Sequence, residues 1–140
     1  MNCMPSLSQF FYVSVRTVPH DLAAVQHILQ ISRRNNRQLD VTGCLLIAGP
    51  LFAQVVEGRR EVVEPLVERI ARDPRHHSVR VLVERQTSTR QYGEWSMGYF
   101  DDSGQEDRLR ALLDGARADA RDLAGMMGRM RPDTVLGDLR

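Results

Sequence analysis

The sequence predicts an α+β fold with the element order β-α-β-β-α-β-β. Three observations carry this. Two stretches have apolar residues at helical spacing, and a pair of apolar runs joined at Gly49-Pro50 lies between them. A β-branched and aromatic run precedes the first helical stretch. Two more strand-like runs follow the second.

Residues 9–15 (QFFYVSV) read as the first strand, and Pro19 breaks it. Asp21 is placed to cap a helix running to about Arg34, with Leu22, Val25, Ile28 and Leu29 on one face. The polar stretch 35–40 is expected to end that helix. Residues 41–48 (VTGCLLIA) form a second strand with almost no polar alternation after Gly43, as a strand buried on both faces would show. Residues 52–57 (FAQVVE) follow the turn closely enough to be the other arm of a hairpin. In 61–72, Val62, Val63, Leu66, Val67 and Ile70 recur at helical spacing. Glu61 and Glu64 lie in the first turn and Arg69 and Arg72 in the last, as the helix dipole favours. Pro65 falls near the start, where proline is tolerated. Strands are expected at 79–85 and 95–100.

This order is that of a split βαβ, the ferredoxin-like arrangement. It predicts a mixed five-stranded sheet, two helices on one face, and a C-terminal helical extension. The domain boundary is set at 1–101, with the extension at 102–140. In the extension, Ser103 and Glu106 have capping-box spacing. Leu109, Leu112, Leu113 and Ala116 line one helical face, and Leu123 and Met127 resume it. This segment, or a partner chain, is expected to cover the sheet face left open by the other two helices.

Composition sets outer limits. The chain has 140 residues, 42% hydrophobic and 26% charged, enough apolar material for a packed core. No apolar run is long enough for a membrane span, and residues 1–9 lack the pattern of a secretory signal. Cys3 and Cys44 are too few for a disulfide framework or a four-cysteine metal site. The cytoplasm is therefore the expected compartment. The net charge is +1, and every basic residue is Arg; near-neutrality argues against direct nucleic-acid binding. No phosphate-binding glycine loop, nucleophile elbow or zinc-helix motif occurs.

Strand parity selects the candidate residues. Side chains alternate between sheet faces, so Phe10, Tyr12 and Ser14 share a face, as do Phe52, Gln54 and Val56, and Trp95, Met97 and Tyr99. If the three faces match, Tyr12, Gln54 and Met97 or Trp95 meet beneath the helices. A buried Gln54 amide must find partners for two donors and an acceptor. From parity alone, Gln54 facing solvent and Tyr12 as ordinary core remain open. Asn35-Asn36 reads either as a helix C-cap or as amides suited to an imide edge. Arg69, Asp73, Arg75, His76 and His77 read as a solvated helix end or as a phosphate-binding cluster; the two adjacent histidines do not have metal-ligand spacing.

Together, FFYVS, ILQISRRNN, VTGCLL, FAQVVEG, RIARDPRHH and WSMG resemble, in order and spacing, the BLUF domains, which are flavin-binding blue-light sensors. The likeness runs from about Phe10 to Asp101, and the chain looks like a short BLUF protein without an output enzyme. The resemblance implies a non-covalent flavin, usually FAD, with FMN or riboflavin as other forms, held between the two helices. It makes Tyr12 and Gln54 the photochemical pair and places Asn36, with Asn35 beside it, at the pyrimidine-like end of the ring. Ile28, Phe52 and Ile70 match apolar positions around the ring. Arg69, Asp73 and His76 match positions near the ribityl and phosphate part. Trp95 and Met97 match the relay pair on the last strand. The implied mechanism is light-driven electron and proton transfer from Tyr12 toward the flavin by way of Gln54. The Gln54 amide then rearranges, absorption shifts to the red, and the last strand passes the change to the segment after Ser103. Ala53 and Val13 depart from residues often found at those places.

Two other readings have their own signatures. An acylphosphatase-type enzyme would use Arg37 with Asn35, but lacks the glycine-rich cradle. An interaction module without flavin would be colourless. The expected partners are flavin, an unidentified downstream protein and a second copy of the chain; no membrane, metal or enzyme activity is expected.

Overall fold

The computed structural model describes residues 6–17, 21–93, 96–119 and 121–122. It contains strand β1 (Leu7–Arg16), helix α1 (Leu22–Leu39), strands β2 (Thr42–Ala48) and β3 (Leu51–Arg59), helix α2 (Arg60–Ala71), strands β4 (His76–Thr87) and β5 (Gly98–Asp101), a 3-10 turn (Ser103–Gln105) and helix α3 (Glu106–Leu113). The sheet order is β4-β1-β3-β2-β5. The first four strands pair antiparallel, whereas β5 lies parallel to β2, so the sheet is mixed. The ferredoxin-like reading of the sequence is thereby met, with β3 as the middle strand.

Each sheet face buries its own apolar set. Phe10, Leu45, Phe52, Val56, Met97 and Tyr99 pack with Val25 and Leu29 of α1 and Val63 and Val67 of α2. Phe11, Val13, Leu46, Val55 and Phe100 pack on the other side with Leu109 and Leu112 of α3. Strand parity alone produces this division, since neighbours along a strand point to opposite faces. Covering both faces explains why β2 is buried along its whole length. Backbones come close between β2 and β3: a Cβ on Gly43 would lie 2.0 Å from the Val55 carbonyl oxygen.

Four expectations are corrected. Helix α1 does not end at 35; it runs through Asn35 and Asn36 to Leu39, and Asp40 closes it in the left-handed region at φ 55°. Asn35-Asn36 is therefore the last turn of the helix, not its cap. At the other end Asp21 caps as expected, its carboxylate accepting the Ala24 N–H at 2.8 Å. The fifth strand is Gly98–Asp101, and Ser96 and Met97, expected within it, lie before it. Its ladder with β2 starts at Cys44↔Gly98, and side chains of α1 take the carbonyls of Ser96 and Met97 instead. Third, Asp102 caps the 3-10 turn, accepting the Gly104 N–H at 2.9 Å, and the N-cap of α3 is Gln105, which makes no side-chain cap bond, so Ser103 does not serve in a capping box. Ala116 is exposed beyond the end of α3, off the face made by Leu109, Leu112 and Leu113. Trp95, Leu123 and Met127 lie outside the described residues.

Candidate functional site

Tyr12 and Gln54 are cross-strand partners in the β1–β3 ladder, so their side chains emerge side by side on the α1/α2 face. The Tyr12 hydroxyl donates to Oε1 of Gln54. The Gln54 amide nitrogen donates to the Met97 sulfur at 3.4 Å, and a thioether is a weak acceptor. Burial pushes the Tyr12 phenol far above the ordinary tyrosine range; the negative charge of Asp73 adds to this and Arg75 opposes it. Tyr12 is thus held as a neutral donor.

These residues open onto a cavity of about 410 Å³ between the two helices and the sheet. That lies within the roughly 300–1,000 Å³ usual for small-molecule sites. Helix α1 lines one wall with Ile28, Ile31, Ser32 and Asn35, a run at three- and four-residue spacing. Helix α2 contributes Leu66, Arg69 and Ile70 to the other. The sheet floor is Tyr12, Leu45, Phe52, Gln54 and Val56. Asn36 is also on the lining and is buried, its amide donating to the Ser96 carbonyl at 2.6 Å. Arg33, one turn earlier, donates to the Met97 carbonyl at 2.9 Å.

Past α2 the chain turns through Asp73, whose carboxylate receives the Arg75 guanidinium at 2.9 and 3.1 Å. That hydrogen bond holds the Asp73 carboxyl below the usual aspartate range. His76, the first residue of β4, is buried. Its Nδ1 lies 2.8 Å from the Ser14 hydroxyl and its Nε2 faces the Ile70 carbonyl. Because a carbonyl can only accept, Nε2 donates to Ile70, while Nδ1 and the Ser14 hydroxyl share the second bond. The ring meets Tyr12 edge-on at a centroid distance of 5.8 Å.

The structure brings Tyr12, Ile28, Asn35, Asn36, Phe52, Gln54, Arg69, Ile70, Asp73, His76 and Met97 to this one cavity. It does not bring Arg37 there. That residue is exposed and is not among the lining residues, so the phosphoryl-site reading of Arg37 with Asn35 loses its geometry. The sequence reading missed Ile31 and Ser32, which follow from continuing the Ile28 face along α1. It placed Arg75 in the cluster past α2, but not its pairing with Asp73, which depends on a turn that spacing alone does not reveal. No group of three or more His, Cys, Asp or Glu residues able to hold a metal occurs among the described residues.

Residues 7–98 match the family model described as sensors of blue light using FAD. The chain belongs to the BLUF family. It is 32% identical over 111 residues to photoactivated adenylate cyclase subunit alpha of Euglena gracilis, covering 76% of this chain and 11% of that one. It is 36% identical over 92 residues to the blue light- and temperature-regulated antirepressor BluF of Escherichia coli, covering 64% and 23%. The chain thus spans between about a tenth and a quarter of the length of these curated relatives. Among solved structures, the dark state of BlrB, a BLUF protein, superposes with a TM-score of 0.76 at 27% identity, covering 91% of this chain and 98% of that one.

Flavin binding and blue-light sensing are therefore properties of this BLUF domain. The cavity suits such a group. Its lining joins apolar side chains such as Ile28, Ile31, Leu45, Phe52 and Ile70, which suit a planar ring, with the amides of Asn35, Asn36 and Gln54, which suit a polar ring edge. Among the described residues no helix is long and apolar enough to cross a membrane.

Proposed function

We propose that the chain senses blue light through the Tyr12–Gln54 pair and passes its state by contact to another protein, without enzymatic chemistry of its own. The observation that supports this most is the Gln54 amide. Its oxygen is taken by a neutral phenol, and its nitrogen has only a thioether as acceptor on the lip of a ligand-sized cavity. A buried amide donor without a strong acceptor costs about 1–3 kcal/mol, so the site is built to receive one. When bound, flavin supplies blue-light absorption and an electron acceptor in its excited state.

The residues then take the following parts. Ile28, Phe52 and Ile70 hold the ring by apolar contact and keep water out. Asn35, Asn36 and Gln54 satisfy its polar edge. Arg69, Asp73 and His76 face the ribityl and phosphate part, with Asp73 fixed by Arg75. Tyr12 holds its proton on the hydroxyl against Oε1 of Gln54. Once Tyr12 gives an electron to the excited flavin, the phenol proton follows by way of Gln54. Both return on recombination, leaving the Gln54 amide rotated, with donor and acceptor ends exchanged and no net change in protons or electrons. Its hydrogen bond to the cavity then changes, and so does its contact with Met97. Met97, with Trp95, carries the change to β5 and onward to the segment after residue 101.

In this reading residues 1–101 are the sensor and 102–140 the extension that a partner reads. The partner is a downstream protein or a second copy of the chain, in the cytoplasm. The test is direct. The purified chain should be yellow and should shift its flavin bands to the red under blue light, reversibly in the dark. Chromatography of the released cofactor then identifies FAD, FMN or riboflavin. A colourless preparation that takes up none of the three flavins would refute the reading.

A further inference from the structure

The stretch 88–97 leaves β4 at one margin of the sheet and enters β5 at the other. It must pass β1, β3 and β2, four strand spacings of about 4.8 Å, or roughly 19 Å. The registers Leu7↔Thr87, Leu7↔Arg59, Thr42↔Glu57 and Cys44↔Gly98 place this crossing along one end of the sheet. The stretch ends at Met97, against Gln54.

Midway it meets a buried carboxylate. Glu57 is 0% exposed on β3, three residues beyond Gln54 and so on the opposite face. One of its oxygens accepts the Gln91 N–H at 2.8 Å and the Gln9 amide at 2.8 Å; the other accepts the Tyr92 N–H at 2.7 Å. Gln9 in turn receives the Arg85 guanidinium at 2.7 Å. Arg90 adds a bond to the Glu57 backbone carbonyl and reaches Thr42 and Asp40. The middle strand therefore grips the crossing at its centre with Glu57 and receives its far end at Gln54.

We propose that Glu57 is a positioning residue for the photochemical site: its carboxylate fixes residues 91 and 92 so that Met97 is delivered to Gln54. The inference rests on the reading of Gln54 given above. Three N–H donors converge on Glu57, and only a carboxylate offers them acceptors alone. In Glu57→Gln, either amide orientation turns an NH2 toward a backbone N–H, so the crossing loses its hold at a buried point.

The experiment uses the full flavin-loaded chain, kept dark and treated with dilute hydrogen peroxide, with Met97 sulfoxide read by peptide mass spectrometry. Met97 is 1% exposed and should be protected in the unaltered chain. Glu57→Gln should raise its oxidation rate at least tenfold. Leu109→Ala, which loosens the core on the opposite sheet face, should leave it within twofold in the folded protein. Equal rates in Glu57→Gln and the unaltered chain, or an equal rise in Leu109→Ala, overturn the proposal. Should Glu57→Gln fail to fold, amide hydrogen exchange on the unaltered chain decides: Gln91 and Tyr92 should be the slowest amides in 88–97, and fast exchange at either overturns the proposal. Dark oxidation needs no photocycle, so a chain lacking any light-induced shift would sink the Tyr12–Gln54 reading while still reporting on Glu57. Where the shift is present, Glu57→Gln should also change its dark recovery rate about fivefold or more.

Discussion

The phenol of Tyr12 donates to the side-chain oxygen of Gln54 from the directly opposed position on the neighbouring strand. This fixes which end of the amide is left for the cavity. Replacing Gln54 by Leu keeps the volume and removes both amide groups. The variant should still bind flavin, because the apolar walls are untouched, yet show no red shift in a light-minus-dark spectrum.

Tyr12→Phe removes the donor and keeps the ring. The Gln54 oxygen loses its partner, so folding stability should fall by about 1 kcal/mol in urea titration. The photocycle should be blocked while flavin content stays near normal.

Burial raises the Tyr12 phenol well above its ordinary value of 10, and Tyr92 is raised mainly by burial as well. Both are neutral acids favoured in the folded state. Their contribution to stability is complete below pH of about 10 and is lost progressively above it. In an alkaline titration their tyrosinate absorbance should appear only with unfolding. At the acid end Asp73 behaves oppositely. Its carboxyl is lowered by Arg75, so its small contribution holds above the ordinary aspartate range and disappears as pH falls through its folded value. Asp73→Asn should flatten the acid limb of a thermal-melt profile.

Gly43→Ala would set a methyl group 2.0 Å from the Val55 carbonyl oxygen, which belongs to rigid backbone. The hairpin would have to part. Most of the protein should appear in the insoluble fraction on expression, in contrast to changes at exposed loop positions.

Leu109→Ala empties a fully buried site where α3 meets the sheet. The expected loss is about 2–5 kcal/mol, measured by denaturant unfolding. The flavin cavity lies on the other face, so the folded fraction should bind flavin as before.

Much of this was legible in the residues. Alternation along QFFYVSV and FAQVVE assigned Tyr12 and Gln54 each to one strand face, because a two-residue period allows no other, but left open whether those faces coincide. The matched motifs joined them in one site and selected Asn36 for it; the ladder pairs the two directly. What escaped was decided by contacts distant in sequence. Asn36 stays helical because its side chain is satisfied by Ser96, 60 residues away, whereas local composition favoured a cap. The start of β5 is set by competition for the Ser96 and Met97 carbonyls, which no local propensity records. Glu57 looked like the end of a strand, and its burial makes sense only once the long crossing is seen above it.

That crossing has a practical consequence. Thr87 to Arg90 is the stretch where the polypeptide leaves one margin of the sheet, and Ser88 and Thr89 are exposed. A cut there would yield two fragments, one bearing four strands with the cavity walls, the other bearing Met97, β5 and α3. Neither is complete as a chromophore holder. The domain therefore divides naturally into a complementation pair, in which colour on mixing would report that two separately produced pieces had found each other.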